Sequence, residues 1–409
     1  MRPYDSPDEA AFRAEAVKWL EANASYYERP PVLISSIVSE WSPEEESKQL
    51  AVAKDWQRRK FEAGWAGVHW PTKYGGRGGT LMEALIFGQE EAKLDVPWDA
   101  LVVGLGWCGL AVMAHASPEL SDAVLKPLLR GDQVWCQLFS EPGAGSDLAG
   151  LATRAERDGD EWVITGQKVW TTLAHQADFG LLVARHDSDL PKHRGMTAFL
   201  VDMSAEGIET RPMHQMTDSA NFNEVFLDGV RVPDSHRVGE VGAGWSVVIT
   251  TFTHERFSPS FANTAILDAL RRWVELSGRK DEPLVRERYA DIYMRAVGLK
   301  YLSMRLLTDI SQGRLPGPEG STMKLAGSLL LADIYEFGLE LQGPYGALLG
   351  RDAREGGEWQ TGFLGIPGLL IGGGTSDIQR NIIAERVLGL PGDIRVDKDV
   401  AFGDVPRAG

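Results

Sequence analysis

Apolar residues recur at helical spacing among Asp, Glu and Lys over residues 1 to 130. In the opening segment DSPDEAAFRAEAVKWLEANA, Phe12, Ala16, Trp19 and Leu20 fall on one face. Ser6-Pro7-Asp8-Glu9 reads as the capping box of that helix, with Pro at the first helical position. ESKQLAVAKDWQRRKFEAG and LMEALIFGQEEAKL keep the same period. The apolar run LVVGLGWCGLAVMA at 101 to 114 is too short to span a bilayer and reads as a buried helix.

Between 131 and 240 the period becomes two. EWVITGQKVWTT and NEVFLDGVRVP each hold two β-prone runs about a turn dipeptide, Thr165-Gly166 and Asp228-Gly229, which predicts two hairpins. FGLLVAR and MTAFLVDM add two apolar strands. After GEVGAGWSVV the helical period returns, through FSPSFANTAILDALRRWVEL, LVRERYADIYMRAVGLKYLSMRLLTDI and STMKLAGSLLLADIYEFGLEL. Gly and Pro gather at 313 to 320 and 343 to 374, the expected loops between bundle helices. The chain is expected to be α+β with three domains: N-terminal helices (1–130), a middle antiparallel β-barrel or sandwich (131–240) and a C-terminal helical bundle (241–409).

The 409 residues carry 58 acids against 42 Lys and Arg, a formal charge of −16. That balance excludes nucleic acid as the expected partner and disfavours an anionic membrane surface, while a local basic pocket for a small anion remains allowed. Cys108 and Cys136 show no metal-ligand spacing, and the N-terminus lacks the basic start and apolar core of a signal peptide. Both features suit a reducing cytoplasm.

Three segments could carry chemistry. In WCQLFSEPGAGSDLAG, residues 135 to 150, Pro142 fixes the backbone, and Gly143 and Gly145 let successive N–H groups point into one concavity suited to phosphate or flavin oxygens. The segment lacks the Lys of a P-loop and the dinucleotide spacing, and a plain turn between strands explains it as well. Trp170-Thr171-Thr172 puts a planar indole beside two hydroxyls, able to stack on a cofactor ring and bond its edge, or equally to be a core Trp with two surface threonines. In IGGGTSDIQR, 371 to 380, a Gly run precedes a helix capped by Thr375 or Ser376, either a ligand-facing helix start or a tight capped loop.

Taken together, EPGAGSD, ITGQKVWTT and GTSDIQR resemble, in order and spacing, the acyl-CoA dehydrogenase family of flavoenzymes, and the resemblance covers essentially the whole chain. It implies noncovalent FAD and an acyl-CoA substrate that loses an α-proton and a β-hydride to become the trans-2-enoyl thioester. It also implies an electron-transferring flavoprotein as acceptor and a homo-oligomer, tetramer or dimer, with FAD sites shared between subunits. By position, Gln137, Phe139, Ser140, Gly145 and Ser146 match flavin-lining residues, and Ser146 also an acyl-CoA contact. Trp170, Thr171 and Thr172 match the flavin-stacking and N5-side positions; Gly343, Thr375 and Asp377 match further cofactor contacts. The family often has Gln where Asp377 stands, and of its Arg-x-Phe-Gly segment only Arg279 remains.

Many members carry the base that takes the α-proton two residues before the Thr of GTSDIQR. Here that residue is Gly373. Abstraction without a placed base would forfeit roughly 10²- to 10⁴-fold in rate. A second group within the family places its Glu on an earlier helix just before an Arg, and TTFTHERFSPS supplies His254-Glu255-Arg256 there. Glu255 is the candidate base, with Ser146, Phe252, Arg256 and Gly373 on the substrate side. The N–H of Gly373 is expected to polarise the thioester carbonyl, and desolvation to raise the pKa of Glu255. HER with GGGT looks most similar to bacterial enzymes acting on bulky acyl groups, including steroid side chains. A flavin oxidase or monooxygenase of the same fold, and a noncatalytic partner subunit of a hetero-oligomer, are the alternatives.

Overall fold

The computed structural model describes residues 5–24, 42–94, 96, 101–256, 265–312, 317–394 and 396–405. The chain begins with α1 (Pro7–Ala24), where the Ser6 N–H donates to Glu9 Oε2 (2.6 Å) and the Glu9 N–H to Ser6 Oγ (3.2 Å). The same reciprocal cap recurs at Ser42 and Glu45 before α2 (Pro43–Glu62) and at Thr80 and Glu83 before α3 (Leu81–Glu91). Each satisfies two backbone donors that a helix start leaves open. The apolar run at 101 to 114 forms a π-helical turn, Val103–Cys108, leading into α4 (Gly109–His115). α5 (Pro118–Arg130) ends at Gly131, whose left-handed conformation turns the chain toward the sheet.

Eight strands follow: β1 (Trp135–Leu138), β2 (Arg154–Asp158), β3 (Glu161–Thr172), β4 (Phe179–Arg185), β5 (Met196–Asp202), β6 (Ile208–Met213), β7 (Phe222–Pro233) and β8 (Arg237–Val238). They form one sheet in the order β6-β7-β3-β2-β4-β5-β8, with β1 also beside β4. The expected antiparallel barrel is corrected on two counts. The sheet is open, running from β6 to β8, and β4 pairs in parallel with both β1 and β2.

Neither expected hairpin forms. β3 and β7 run unbroken through Thr165-Gly166 and Asp228-Gly229 and pair with each other, Ile164 opposite Val230 and Gly166 opposite Leu227. The two dipeptides meet in a register shift, and the Gly229 N–H donates to Thr165 Oγ1 (3.3 Å). A β-bulge uses the same residue types as a hairpin turn, and here the long partner strand selects the bulge.

β4 and β5 are buried on both faces. Leu181, Val183, Ala198 and Leu200 join the core of the N-terminal helices, while Leu182, Ala184, Phe199 and Val201 pack with Trp162 and Ile164 on the opposite side. The first core also takes in Val247 and Val248 of α6 (Gly244–Arg256). A Cβ at Gly244 would stand 2.8 Å from the backbone of Met196 and Thr197, so only glycine lets this helix start against β5. Then come α7 (Ala265–Leu276), α8 (Pro283–Ser311), α9 (Gly320–Gln342), α10 (Glu358–Ile371) and α11 (Ser376–Ile382). The FSPSFANT part of the first expected bundle helix lies at 257–264, outside the described residues.

The 343 to 374 stretch is not simply a loop, because it contains α10 with Pro367 inside the helix. Trp359 and Ile366 are buried in the bundle core against Tyr335 and Trp273, and that packing outweighs the hydrogen bond the proline gives up. Near the C-terminus the chain returns to the sheet. Phe402 lies under the Arg185 guanidinium (3.5 Å to the ring centre), and the Phe402 N–H donates to Leu190 O (3.0 Å). Lys192 donates to Asp397 (2.8 Å) and to Asp147 (3.1 Å), tying this stretch to the EPGAGSD loop.

That loop is pinned from below by a buried ion pair. Lys168 Nζ donates to Glu141 Oε1 (2.8 Å) and Phe139 O (3.0 Å), and Glu141 accepts the N–H groups of Ala152 (2.6 Å) and Thr153 (2.9 Å). Burial pushes the Glu141 pKa up, but the Lys168 charge and the donated hydrogen bonds outweigh it and hold it below the usual range. Stability from this carboxylate is therefore present above its ordinary pKa and lost as pH falls through the lowered one. Lys168→Met strands the carboxylate and should cost about 3–5 kcal/mol in urea unfolding at neutral pH. The difference from wild type should shrink as pH falls through the lowered pKa and Glu141 becomes protonated in both proteins.

Candidate active site

Two of the motifs meet where β1 and β3 end. The Val169 N–H donates to Ser140 O (2.9 Å), which sets Trp170, Thr171 and Thr172 beside Phe139 and Ser140. Trp170 takes a left-handed backbone (φ 59°), rare for an aromatic residue, leaves its indole 53% exposed and meets Phe222 edge-on at 6.0 Å. Thr171 is buried and its Oγ1 has no hydrogen-bond partner. Gln137, Ser140 and Thr172 are half-buried, and Gly145 and Ser146 are exposed. A Cβ at Gly145 would meet nothing within 4 Å.

An aromatic contact joins this group to α6. Phe139 and Phe252 pack edge to face, 5.9 Å between ring centres. Glu255 lies one helical turn beyond Phe252. Opposite it comes the Gly run, in which Gly373 (φ 65°) and Gly374 (φ 99°) are left-handed. A Cβ placed on Gly373 would stand 2.9 Å from Glu255 Oε1, so this carboxylate occupies the space beside the side-chain-free backbone. Arg256 ends α6.

The remaining expected residues have other neighbours. Thr375 caps α11, its Oγ1 accepting from the Ile378 N–H (3.2 Å). Asp377 is exposed and pairs with Arg380 (2.8 Å), and Gly343 is exposed at the end of α9. Among the described residues, neither Gly343 nor Asp377 hydrogen-bonds to the group around Phe139 and Trp170.

Several neighbours of the site were not singled out from sequence. His69, from the segment before the short 3₁₀ turn Thr72–Tyr74, has its pKa pushed down to about 4 by burial, with His254 adding to the effect. Burial lowers His254 as well, so both imidazoles are neutral at pH 7. Cys108 on the π-helical turn is raised well above the usual thiol range, first by burial, then by Cys136 and Glu255. Lys324 and Gln379 bond the carbonyls of the Gly loop. Gln379 stood inside the quoted GTSDIQR, and Lys324 is the one cation in the apolar stretch STMKLAGSLLLADIY, a signal of paired burial.

Comparison with known proteins identifies the family of the chain. The chain matches the acyl-CoA dehydrogenase N-terminal domain over residues 33–132, the middle domain over 136–230 and the C-terminal domain over 242–388. It is 37% identical to acyl-CoA dehydrogenase FadE34 of Mycobacterium tuberculosis over 88% of this chain, and spans about half (48%) of that protein. Acyl-CoA dehydrogenase IpdE1 of the same organism is 34% identical, covering 94% of this chain and 98% of its own length. The ChsE4-ChsE5 complex from Mycobacterium tuberculosis superposes with a TM-score of 0.78 at 29% identity, over 96% of this chain and 100% of the other. The Tcur3481-Tcur3483 steroid ACAD gives 0.79 at 26%, with the same coverage. The chain belongs to the acyl-CoA dehydrogenase family, flavoprotein oxidoreductases of lipid metabolism. Among the described residues no helix is long and apolar enough to cross a membrane.

Gly373→Ala tests the Gly loop directly. The left-handed backbone should cost an L-residue about 1–2 kcal/mol, read as a lower unfolding midpoint. The new methyl also takes the place of the Glu255 carboxylate, so turnover should fall by more than the stability loss explains. Ser376→Ala, just past the loop, serves as control and should do neither.

Proposed function

We propose that this protein catalyses FAD-dependent α,β-dehydrogenation of a bulky acyl-CoA thioester, with Glu255 as the base that removes the α-proton. One observation carries the reading: Glu255 Oε1 lies 2.9 Å from where a Cβ of Gly373 would be, so a carboxylate from α6 fills the place of a side chain the loop lacks. A base supplied from α6 leaves the loop backbone free to approach the substrate, with the Gly373 N–H available to the thioester carbonyl as negative charge develops. Phe252, Ser146 and Arg256 stand as the substrate-side positions.

The middle-domain residues fit a flavin. A half-exposed indole offers a planar face, the unpartnered Thr171 Oγ1 awaits a polar edge, and open space about Gly145 admits a ring or phosphate against the backbone. Trp170, Thr171, Thr172, Gln137, Phe139, Ser140, Gly145 and Ser146 would hold FAD, which when bound accepts the β-hydride. An electron-transferring flavoprotein is the proposed electron acceptor.

The second half of the cofactor site is assigned to a neighbouring subunit. Gly343, Thr375 and Asp377 sit on the bundle, away from the group around Phe139 and Trp170, and α8 leaves Leu284 (78%), Tyr293 (50%) and Met294 (64%) exposed. The neighbour is either a second copy or a different chain. The two-component ChsE4-ChsE5 complex favours keeping the second option, and the Tcur3481-Tcur3483 protein, described as a steroid ACAD, favours a steroid-like acyl group.

Glu255→Gln is the test of the base. The variant should keep its yellow colour and flavin content, yet anaerobic mixing with a steroid side-chain CoA thioester should bleach the flavin at least about 10²-fold more slowly than wild type. Bleaching at the wild-type rate would overturn the assignment. Reaction confined to short linear acyl-CoAs would overturn the substrate class.

A further inference from the structure

We propose that Lys324 is a positioning residue of this site: from α9 it ties the Gly loop in place against Glu255 and supplies the positive charge that favours the ionised carboxylate. The proposal rests on the reading of Glu255 as base. Lys324 is 2% exposed, and its Nζ donates to Leu370 O (3.1 Å) and Gly374 O (2.8 Å). The first acceptor belongs to the last turn of α10, where carbonyls lack helical partners and a cation is favoured. The second lies at the far side of the Gly run, so one ammonium straddles the loop. Gln379, itself buried, draws on the loop from α11, its Nε2 donating to Gly373 O (2.8 Å). With its carbonyls held on that side, the loop turns the Cα of Gly373 toward Glu255.

The charge on Lys324 acts on the same carboxylate. Burial lowers the Lys324 pKa and Glu255 pushes it back up, and such coupling works equally in both directions. Among the described residues, titratable groups on the elements about Glu255 include His254 on α6, His115 on α4 (its Nε2 2.7 Å from Thr250 Oγ1), Cys108 on the π-helical turn and His69. Burial lowers each of the three histidines and raises the thiol, so all four are neutral near pH 7. Among these groups Lys324 is the cation. A lysine whose task was only to cap α10 would need no position beside the base.

The test follows flavin reduction by the acyl-CoA against pH in stopped flow, comparing the wild-type holoenzyme with Lys324→Met, Lys324→Gln, Lys324→Arg, Gln379→Ala and Glu255→Gln. Loss of the cation makes Glu255 harder to ionise, so the acidic limb should move to higher pH by about 0.5–1 unit in Lys324→Met, with the rate on that limb down roughly 3- to 10-fold. Lys324→Gln keeps a donor for the loop carbonyls without the charge and should show the same displacement. Lys324→Arg keeps the charge and should restore most of the limb. Gln379→Ala removes a loop tie but no charge, so it should raise KM and leave the limb in place. A wild-type limb in Lys324→Gln, with Glu255→Gln inactive, would overturn the role of Lys324 and leave the base assignment standing. Full activity in Glu255→Gln would instead remove the base and this proposal together.

Discussion

A carboxylate can stand against a backbone only where that backbone has no side chain and where its own polar groups are satisfied elsewhere. Gly373 and Gly374 meet the first condition through left-handed angles that other residues adopt at a cost. Lys324 and Gln379 meet the second by taking the carbonyls of the loop. The close approach of Glu255 depends on both, and it also depends on α6 being seated against β5 at Gly244, one more place without a Cβ. Three glycine positions and two buried donors thus set where one carboxylate lies.

The parts of the site belong to different layers of the molecule, and packing makes them one. The core beneath α4 and α5 continues through β4 and β5 into Val247 and Val248, and the Phe139 and Phe252 rings close the gap between the end of β1 and the third turn of α6. Pairs of this kind contribute about 0.5–1.5 kcal/mol beyond their buried area and fix relative orientation. The distance from Trp170 to Glu255 is consequently set by side chains in close-packed contact and not by a loop.

Much of the fold was legible because its signals are local and repeated. The Ser6 box forms as read, the periods of 3.6 and 2 separate helices from strands, and the apolar runs FGLLVAR and MTAFLVDM become strands buried on both faces. What failed depends on distant partners. Asp228-Gly229 has the residues of a turn and makes a bulge because β3 lies alongside for its whole length. Pro367 reads as a loop residue and sits in a helix because Trp359 and Ile366 have a core to enter. At the candidate site two of the motifs meet at the ends of β1 and β3 and the third faces α6, but short motifs carry no information on who holds them. Lys324 and the Glu141–Lys168 pair were in plain view as residue types, and only their burial reveals their tasks.

The C-terminal return to the sheet has a consequence of its own. Lys192 grips Asp397 with one face and Asp147 with another, while Phe402 is trapped beneath Arg185, whose remaining donors hold Ala149 O and Leu151 O just behind Ser146. The stretch from Asp397 to Phe402 therefore lies as a crossbar beside the EPGAGSD loop. Cutting this stretch would free Lys192 and Arg185 beside the EPGAGSD loop, although Asp397 lies 205 positions along the chain from Lys192.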